Sequence, residues 1–156
     1  MTIRTLAEYL PEHPFFADFP DDVIGLLAGC ATNVHFSTGE ALFLEGEAAN
    51  ALYLIRRGRV AIQVHQPASG ATTLATVDEG DVVGWSWLVP PYRWMFDARA
   101  MEETSAVSFD ATCLRQKAEQ DPVVGYALLS RVVQIMHSRL QAARMQMLDM
   151  YGGGAR

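Results

Sequence analysis

The stretch "FSTGEALFLEGEAANALYLIRRGRVAIQV" (36–64) decides how this chain folds. It holds short apolar runs separated by turn signals: Ser37-Thr38-Gly39, Glu45-Gly46-Glu47 and Arg57-Gly58. Val60-Ala61-Ile62-Gln63-Val64 alternates as a half-buried strand does. Arg56, Arg57 and Arg59 around Gly58 read as a solvated hairpin turn rather than an anion site. Working outward, the same texture runs from Thr32 to about Asp110, with further turns at Ala68-Ser69-Gly70 and Asp78-Glu79-Gly80-Asp81. Phe96-Asp97-Ala98-Arg99-Ala100 alternates again. Short strands at this spacing predict a small antiparallel barrel or sandwich over 32–110.

Helices flank it. Residues 1–29 carry two or three short helical pieces interrupted by Pro11, Pro14 and Pro20, and Asp21 and Asp22 suit the first turn of the last piece. A short helix is expected at 111–120, followed by a long one that starts at Pro122 and runs to about Met150. In the long helix Tyr126, Val133, Leu140 and Met147 fall seven apart, and Leu129, Met136, Ala143 and Met150 form a second series offset by three. That is the seam of a coiled coil, so these eight residues are the candidate interface of a parallel homodimer. Leu128, Val132 and Ile135 form another stripe, expected to pack on the strands. The alternative is one broad core-facing stripe in a monomer. The C-terminal helices are placed at 111–151 and a flexible tail at 152–156.

Composition narrows the function. At 156 residues and 17.2 kDa there is room for one domain, which needs neither disulfide nor metal to fold. Acidic residues outnumber basic ones 18 to 12, and no basic stripe suits a phosphate backbone, so no nucleic-acid partner is expected. No apolar run approaches the ~20 residues of a membrane span. The N-terminus lacks the layout of a signal peptide, which leaves the cytoplasm as the expected location. Cys30 and Cys113 fit no metal or redox spacing and read as buried small hydrophobes. His13, His35, His65 and His137 share no ligand spacing, and each reads as a satisfied structural histidine. No nucleophile elbow is present. No catalytic and no metal site is expected.

The segment from His13-Pro14-Phe15-Phe16 through Ala28, followed by 36–64 with Gly39-Glu40, Glu45-Gly46, Leu52-Tyr53-Leu54-Ile55 and Gly58, resembles the cyclic-nucleotide-binding domain family that includes the CRP/FNR regulators. The resemblance covers about four fifths of the chain. It implies a mainly β fold: a jelly-roll-like β-roll with short N-terminal helices, a capping helix and a long dimerisation helix. In that family a cassette after a Gly-Asp turn holds the nucleotide, a glutamate taking the ribose and an arginine the cyclic phosphate. Here the cassette reads "GDVVGWSWLVPPYRWMFDARA" (80–100). The resemblance places Trp85 at the glutamate position and Trp94 at the arginine position.

Losing two charge-assisted partners of the nucleotide, one for the ribose and one for the phosphate, each about 1.5–3 kcal/mol, implies that cAMP is not bound in the usual way. Arg93, beside Trp94, alternates to the opposite face and would need a bulge to substitute. Ser86 is a candidate cap for a short cassette helix, leaving amides near Trp87 and Leu88 for a ligand. Pro90 and Pro91 limit that helix to about one turn. The candidate ligand residues are therefore Gly84, Trp85, Ser86, Trp87, Leu88, Arg93, Trp94 and Phe96. Trp85, Trp87, Tyr92, Trp94 and Phe96 either line a pocket for an apolar or planar ligand or fill the old pocket as core.

The sequence stops soon after the long helix, with no helix-turn-helix to enter a groove, so a free-standing module or a piece of a longer chain is expected. The expectation is a non-enzymatic regulatory module: a homodimer with a possible small-molecule ligand in the roll and a protein partner. Genuine cyclic-nucleotide binding and a ligand-free scaffold are the alternatives. No cofactor is identified.

Overall fold

The computed structural model describes residues 5–153, with side chains through Tyr151. The expected tail at 152–156 lies mostly outside them. Thr5 caps the first helix with a capping box: its hydroxyl accepts from the Glu8 amide, and Glu8 reaches back to the Thr5 amide. Helix α1 (Leu6–Tyr9) then runs into two 3-10 turns, Leu10–Glu12 and Pro14–Phe16, before α2 (Asp21–Ala28). Eight strands follow: β1 Ala31–Phe36, β2 Ala41–Phe43, β3 Ala51–Arg57, β4 Arg59–Gln66, β5 Gly70–Asp78, β6 Val82–Val83, β7 Asp97–Ala100 and β8 Thr104–Asp110. Helices α3 (Ala111–Gln120) and α4 (Pro122–Gly153) close the order.

All pairings are antiparallel, in two four-stranded sheets ordered β1-β8-β3-β6 and β2-β7-β4-β5. This is the antiparallel sandwich expected from the strand spacing, in the jelly-roll-like form that the resemblance implied. One turn differs from the expectation. Gly58 does not close a hairpin, because β3 and β4 lie in different sheets; it is the corner at which the chain changes sheet. Its φ of +103° and its closeness to the Glu103 carbonyl, 2.6 Å from where a Cβ would sit, explain why glycine stands there. Ala68-Ser69-Gly70 does close a hairpin, between β4 and β5.

The cysteines also differ from the expectation. Cys30 and Cys113 are not free hydrophobes but a disulfide, with Cα atoms 5.6 Å apart. It joins the end of α2 to the first turn of α3.

The core lies between the sheets and under the helices. Leu10, Phe16, Leu27, Leu52, Leu54, Ile55, Trp87, Phe109, Leu114 and Leu128 are essentially removed from water. From α4, Val124, Leu128 and Val132 are buried and Ile135 packs against them, as expected of the inner stripe. Arg131 fastens the N-terminal segment to this helix: its guanidinium donates to the carbonyls of Pro14, Phe15 and Ala17 and lies over the Phe19 ring.

His13 sits buried between these layers. Its Nδ1 accepts the Phe15 amide at 3.1 Å, which assigns the proton to Nε2, facing the Ile55 carbonyl at 3.4 Å. Burial pulls its pKa down, opposed by the Ile55 carbonyl and the Asp81 charge. Protonation also destroys the acceptor that Phe15 needs. The unfolded chain therefore binds a proton here at a higher pH than the folded one. This contribution to stability is complete above the ordinary histidine value of about 6.5 and is lost progressively as pH falls below it toward the lowered value of the folded protein. Urea midpoints at neutral and mildly acidic pH should show a drop for the native protein that shrinks in His13→Asn, whose carbonyl oxygen can still accept the Phe15 amide. An equal drop in both would exclude His13 as its source.

Candidate functional site

The cassette begins where β6 ends. Gly84 has φ +94°, and a Cβ built on it would lie 2.5 Å from Trp94 Cη2 and 2.6 Å from Cζ3. The benzo edge of Trp94 thus rests on the bare backbone of Gly84, a seat that any side chain would fill. The indole is stacked on Phe43, centroids 3.7 Å apart and planes 8° from parallel. Phe43 stacks in turn with Tyr53, and Tyr53 meets Phe36 edge-on. Phe43 belongs to one sheet and Tyr53 to the other, so Trp94 completes an aromatic column that bridges the roll. Only 3% of Trp94 is exposed. Burial, with Glu47 nearby, raises the Tyr53 phenol pKa. The backbone holds the ring in place: the Trp94 amide donates to Glu47 O at 2.9 Å, and the Gly46 amide donates to Trp94 O at 2.8 Å.

Ser86–Leu88 forms one 3-10 turn, as short as the prolines require. Ser86 does not cap it; the cap position is Trp85, without a side-chain bond, because the turn starts one residue too early for the hydroxyl to reach back. The Leu88 amide is also not available to a ligand, since it donates to Trp85 O at 3.0 Å. Trp87 is fully buried and donates its Nε1–H to Gly84 O at 3.1 Å. A cis Pro90-Pro91 bond and a left-handed Tyr92 (φ +58°) carry the chain back toward Trp94.

The five rings do not form one lining. Trp87 and Trp94 are core, Trp85 is partly buried, and Tyr92 and Phe96 are more than a third exposed. The alternation read at Phe96–Ala100 is out of phase at its start: Asp97 is buried and Phe96 faces out. The strand begins only at Asp97, whose Oδ1 accepts the Glu45 amide at 2.7 Å, so hydrogen bonding turns the acid inward. Arg93 points away from the roll, donating to Gly46 O at 3.1 Å.

Two cations that sequence reasoning missed reach the cassette from the C-terminal helices. Arg115 of α3 donates to Trp87 O at 2.8 Å, with its guanidinium 4.8 Å from the Tyr92 centroid. Arg139 of α4 donates to Val82 O and lies 4.9 Å from the Trp85 centroid. Burial lowers the Arg139 pKa, partly offset by Asp81. No local signal marks either residue. Two surface clefts occur elsewhere, one lined by Tyr9, Glu12, His13, Pro14, Glu79 and Gly80, the other by Asp18–Pro20 and α4; none of the five rings borders the first or the second. Among the described residues no group of three or more His, Cys, Asp or Glu could hold a metal, and no helix is long and apolar enough to cross a membrane.

The outer face of α4 stands clear of the roll. Tyr126, Leu129, Val133, Met136, Leu140, Ala143, Met147 and Met150 are all exposed.

Comparison with known proteins gives consistent matches. The family model of the cyclic nucleotide-binding domain matches residues 33–121. A CRP-like cAMP-activated global transcriptional regulator of Mycobacterium tuberculosis is 26% identical over 143 residues, 92% of this chain and 62% of that protein. A lysophospholipase of Neurospora crassa is 26% identical over 113 residues, 72% of this chain and 7% of that enzyme. The chain thus spans less than two thirds of either curated relative. A solved structure from Geobacter metallireducens, assigned to cyclic nucleotide binding, superposes with a TM-score of 0.78 at 27% identity and covers 89% of this chain and 99% of that one.

Proposed function

The chain belongs to the cyclic nucleotide-binding domain family, and from that premise we propose that it is a regulatory module whose nucleotide pocket is plugged by its own tryptophan. The observation that carries the reading is Trp94: buried to 3% exposure, stacked on Phe43 and seated on Gly84 where a cyclic phosphate would need room and a cation. The resemblance puts this residue at the phosphate-binding arginine and Trp85 at the ribose-binding glutamate, and Arg93, the nearest substitute, is turned outward. Gly84 then seats the plug, while Trp85, Ser86, Trp87, Leu88 and Phe96 hold no nucleotide.

In this reading the module is non-enzymatic and cytoplasmic, acts on a protein partner rather than on nucleic acid, and pairs with a second copy through the exposed seam of α4. Arg115 and Arg139 tie α3 and α4 to the cassette, so a change in the cassette is felt by the helix that presents the seam. A ligand can shift those helices only as far as its affinities for the two arrangements differ.

Titration calorimetry with cAMP and with cGMP at ligand concentrations near 100 μM is the test. No saturable heat is expected, because two lost charge-assisted partners amount to several orders of magnitude in affinity, at about a factor of ten per 1.4 kcal/mol. Micromolar binding of either nucleotide would overturn the plug. The competing reading, genuine cyclic-nucleotide binding, has the likeness to the cAMP-activated regulator in its favour and requires Trp94 to leave the roll.

A further inference from the structure

The Cys30–Cys113 disulfide lies at the end of the β1–β8 ladder, just beyond the Ala31–Phe109 pair, and links the helices that flank those two strands. Cys30 follows the eight-residue α2, and its carbonyl accepts the Asp110 amide at 3.0 Å. Asp110 caps α3 through the Cys113 amide at 2.9 Å. The sulfur bridge therefore sits on the seam between the N-terminal helices and α3.

From there α3 reaches two further places. Arg115, two residues on, holds the Trp87 carbonyl of the cassette. Ala118 lies directly against α4: a Cβ on Gly125 would come within 2.8 Å of the Ala118 carbonyl. One short helix thus links the disulfide, the cassette and the root of α4. The sheets, by contrast, close through their own ladders and need no covalent help. Helices of eight and ten residues, as α2 and α3 are, are marginal alone and take their order from what holds them in place.

We propose that Cys30–Cys113 is a redox-controlled tether, opened by a dithiol reductant, whose opening releases α2 and α3 from one another while the roll stays folded. Cys30 is nearly buried and Cys113 is partly exposed, so the entering thiolate attacks Cys113 Sγ. A mixed disulfide forms on Cys113, and Cys30 leaves as the thiolate and takes a proton. The reductant's second thiol then displaces Cys113, which is protonated in turn. Two electrons pass to the protein, and the reductant departs as its own disulfide. These are the only cysteines in the sequence, so no internal thiol competes and the system has two states. In the cytoplasm proposed above, disulfides are seldom permanent fixtures and, where they occur, are usually redox-responsive. The inference rests on the regulatory reading only for what the released helices signal; the tether's response is read without nucleotide or partner.

Hydrogen exchange of the full chain, oxidised and then reduced by a millimolar dithiol, tests it. Amides of 21–30 and 111–121 should exchange about tenfold faster after reduction, while those of β3 and β8 keep their protection. Cys113→Ser should show the fast pattern without reductant and should not respond to it, and the reduced native protein supplies the same measurement if that variant folds poorly. Reoxidation should restore the slow pattern. Unchanged exchange in both segments, equal acceleration across the strands, or a disulfide that resists the dithiol in the folded protein would each overturn the tether. None of these outcomes depends on whether cAMP binds.

Discussion

Replacing Trp94 by alanine should lower the free energy of unfolding by about 3–5 kcal/mol, the range for removing a large buried aromatic. The estimate belongs at the upper end because the space cannot collapse. On one side is Gly84, with no side chain to move in; on the other is Phe43, itself held by Tyr53. The backbone bonds of residue 94 to Glu47 and Gly46 survive the substitution, so the loop stays and the cavity stays with it. Phe96→Ala, a few residues on, is the control: its ring is already 40% exposed, and about 1 kcal/mol or less is expected. Urea midpoints for the two variants make the comparison. A loss below about 1 kcal/mol for Trp94→Ala would mean that the indole is loosely held and can leave the roll, which is the condition nucleotide binding requires. The stability of one side chain therefore bears directly on function.

The contrast between these two aromatics shows how far sequence could carry the reading. The strands were legible because turn glycines and alternating runs are local signals, and they act locally; the β-roll they form came from the resemblance. The long helix was legible for the same reason: a seven-residue period belongs to the helix itself. What a turn connects is not local. Gly58 looks like a hairpin glycine, yet the strands it joins lie in different sheets, and only the pairing of β3 with β8 and of β4 with β7 reveals it. The disulfide spans 83 residues with no spacing to announce it. Arg139 reaches Val82 across 57 residues, and nothing in a helical arginine foretells that its guanidinium will cover Trp85. In the cassette the resemblance placed two tryptophans, but it could not say which ring would be buried in the core. That depended on Gly84 offering a seat to Trp94 and on Arg139 covering Trp85 from outside.

Charging the seam of α4 should have the other large effect. The helix carries Val124, Leu128 and Val132 into its own core, and this leaves Leu129 and Met136 outside, 50% and 38% exposed. In a parallel pair each would face its own counterpart, so Leu129→Glu with Met136→Glu introduces four carboxylates in two opposed pairs. Each must be desolvated without a cation, or the helices must separate. At even 1 kcal/mol per carboxylate the dimer weakens by about 4 kcal/mol, roughly a thousandfold in dissociation constant. The monomer should barely notice, because surface substitutions usually stay within about 0.5 kcal/mol. Gln134→Glu, exposed on the same helix but off the seam, should leave association unchanged. Sedimentation equilibrium at micromolar concentration reads all three proteins. A native protein that sediments as a monomer, or a doubly charged variant that still pairs like the native one, would remove the dimer from the proposal and leave α4 as a face for a different protein.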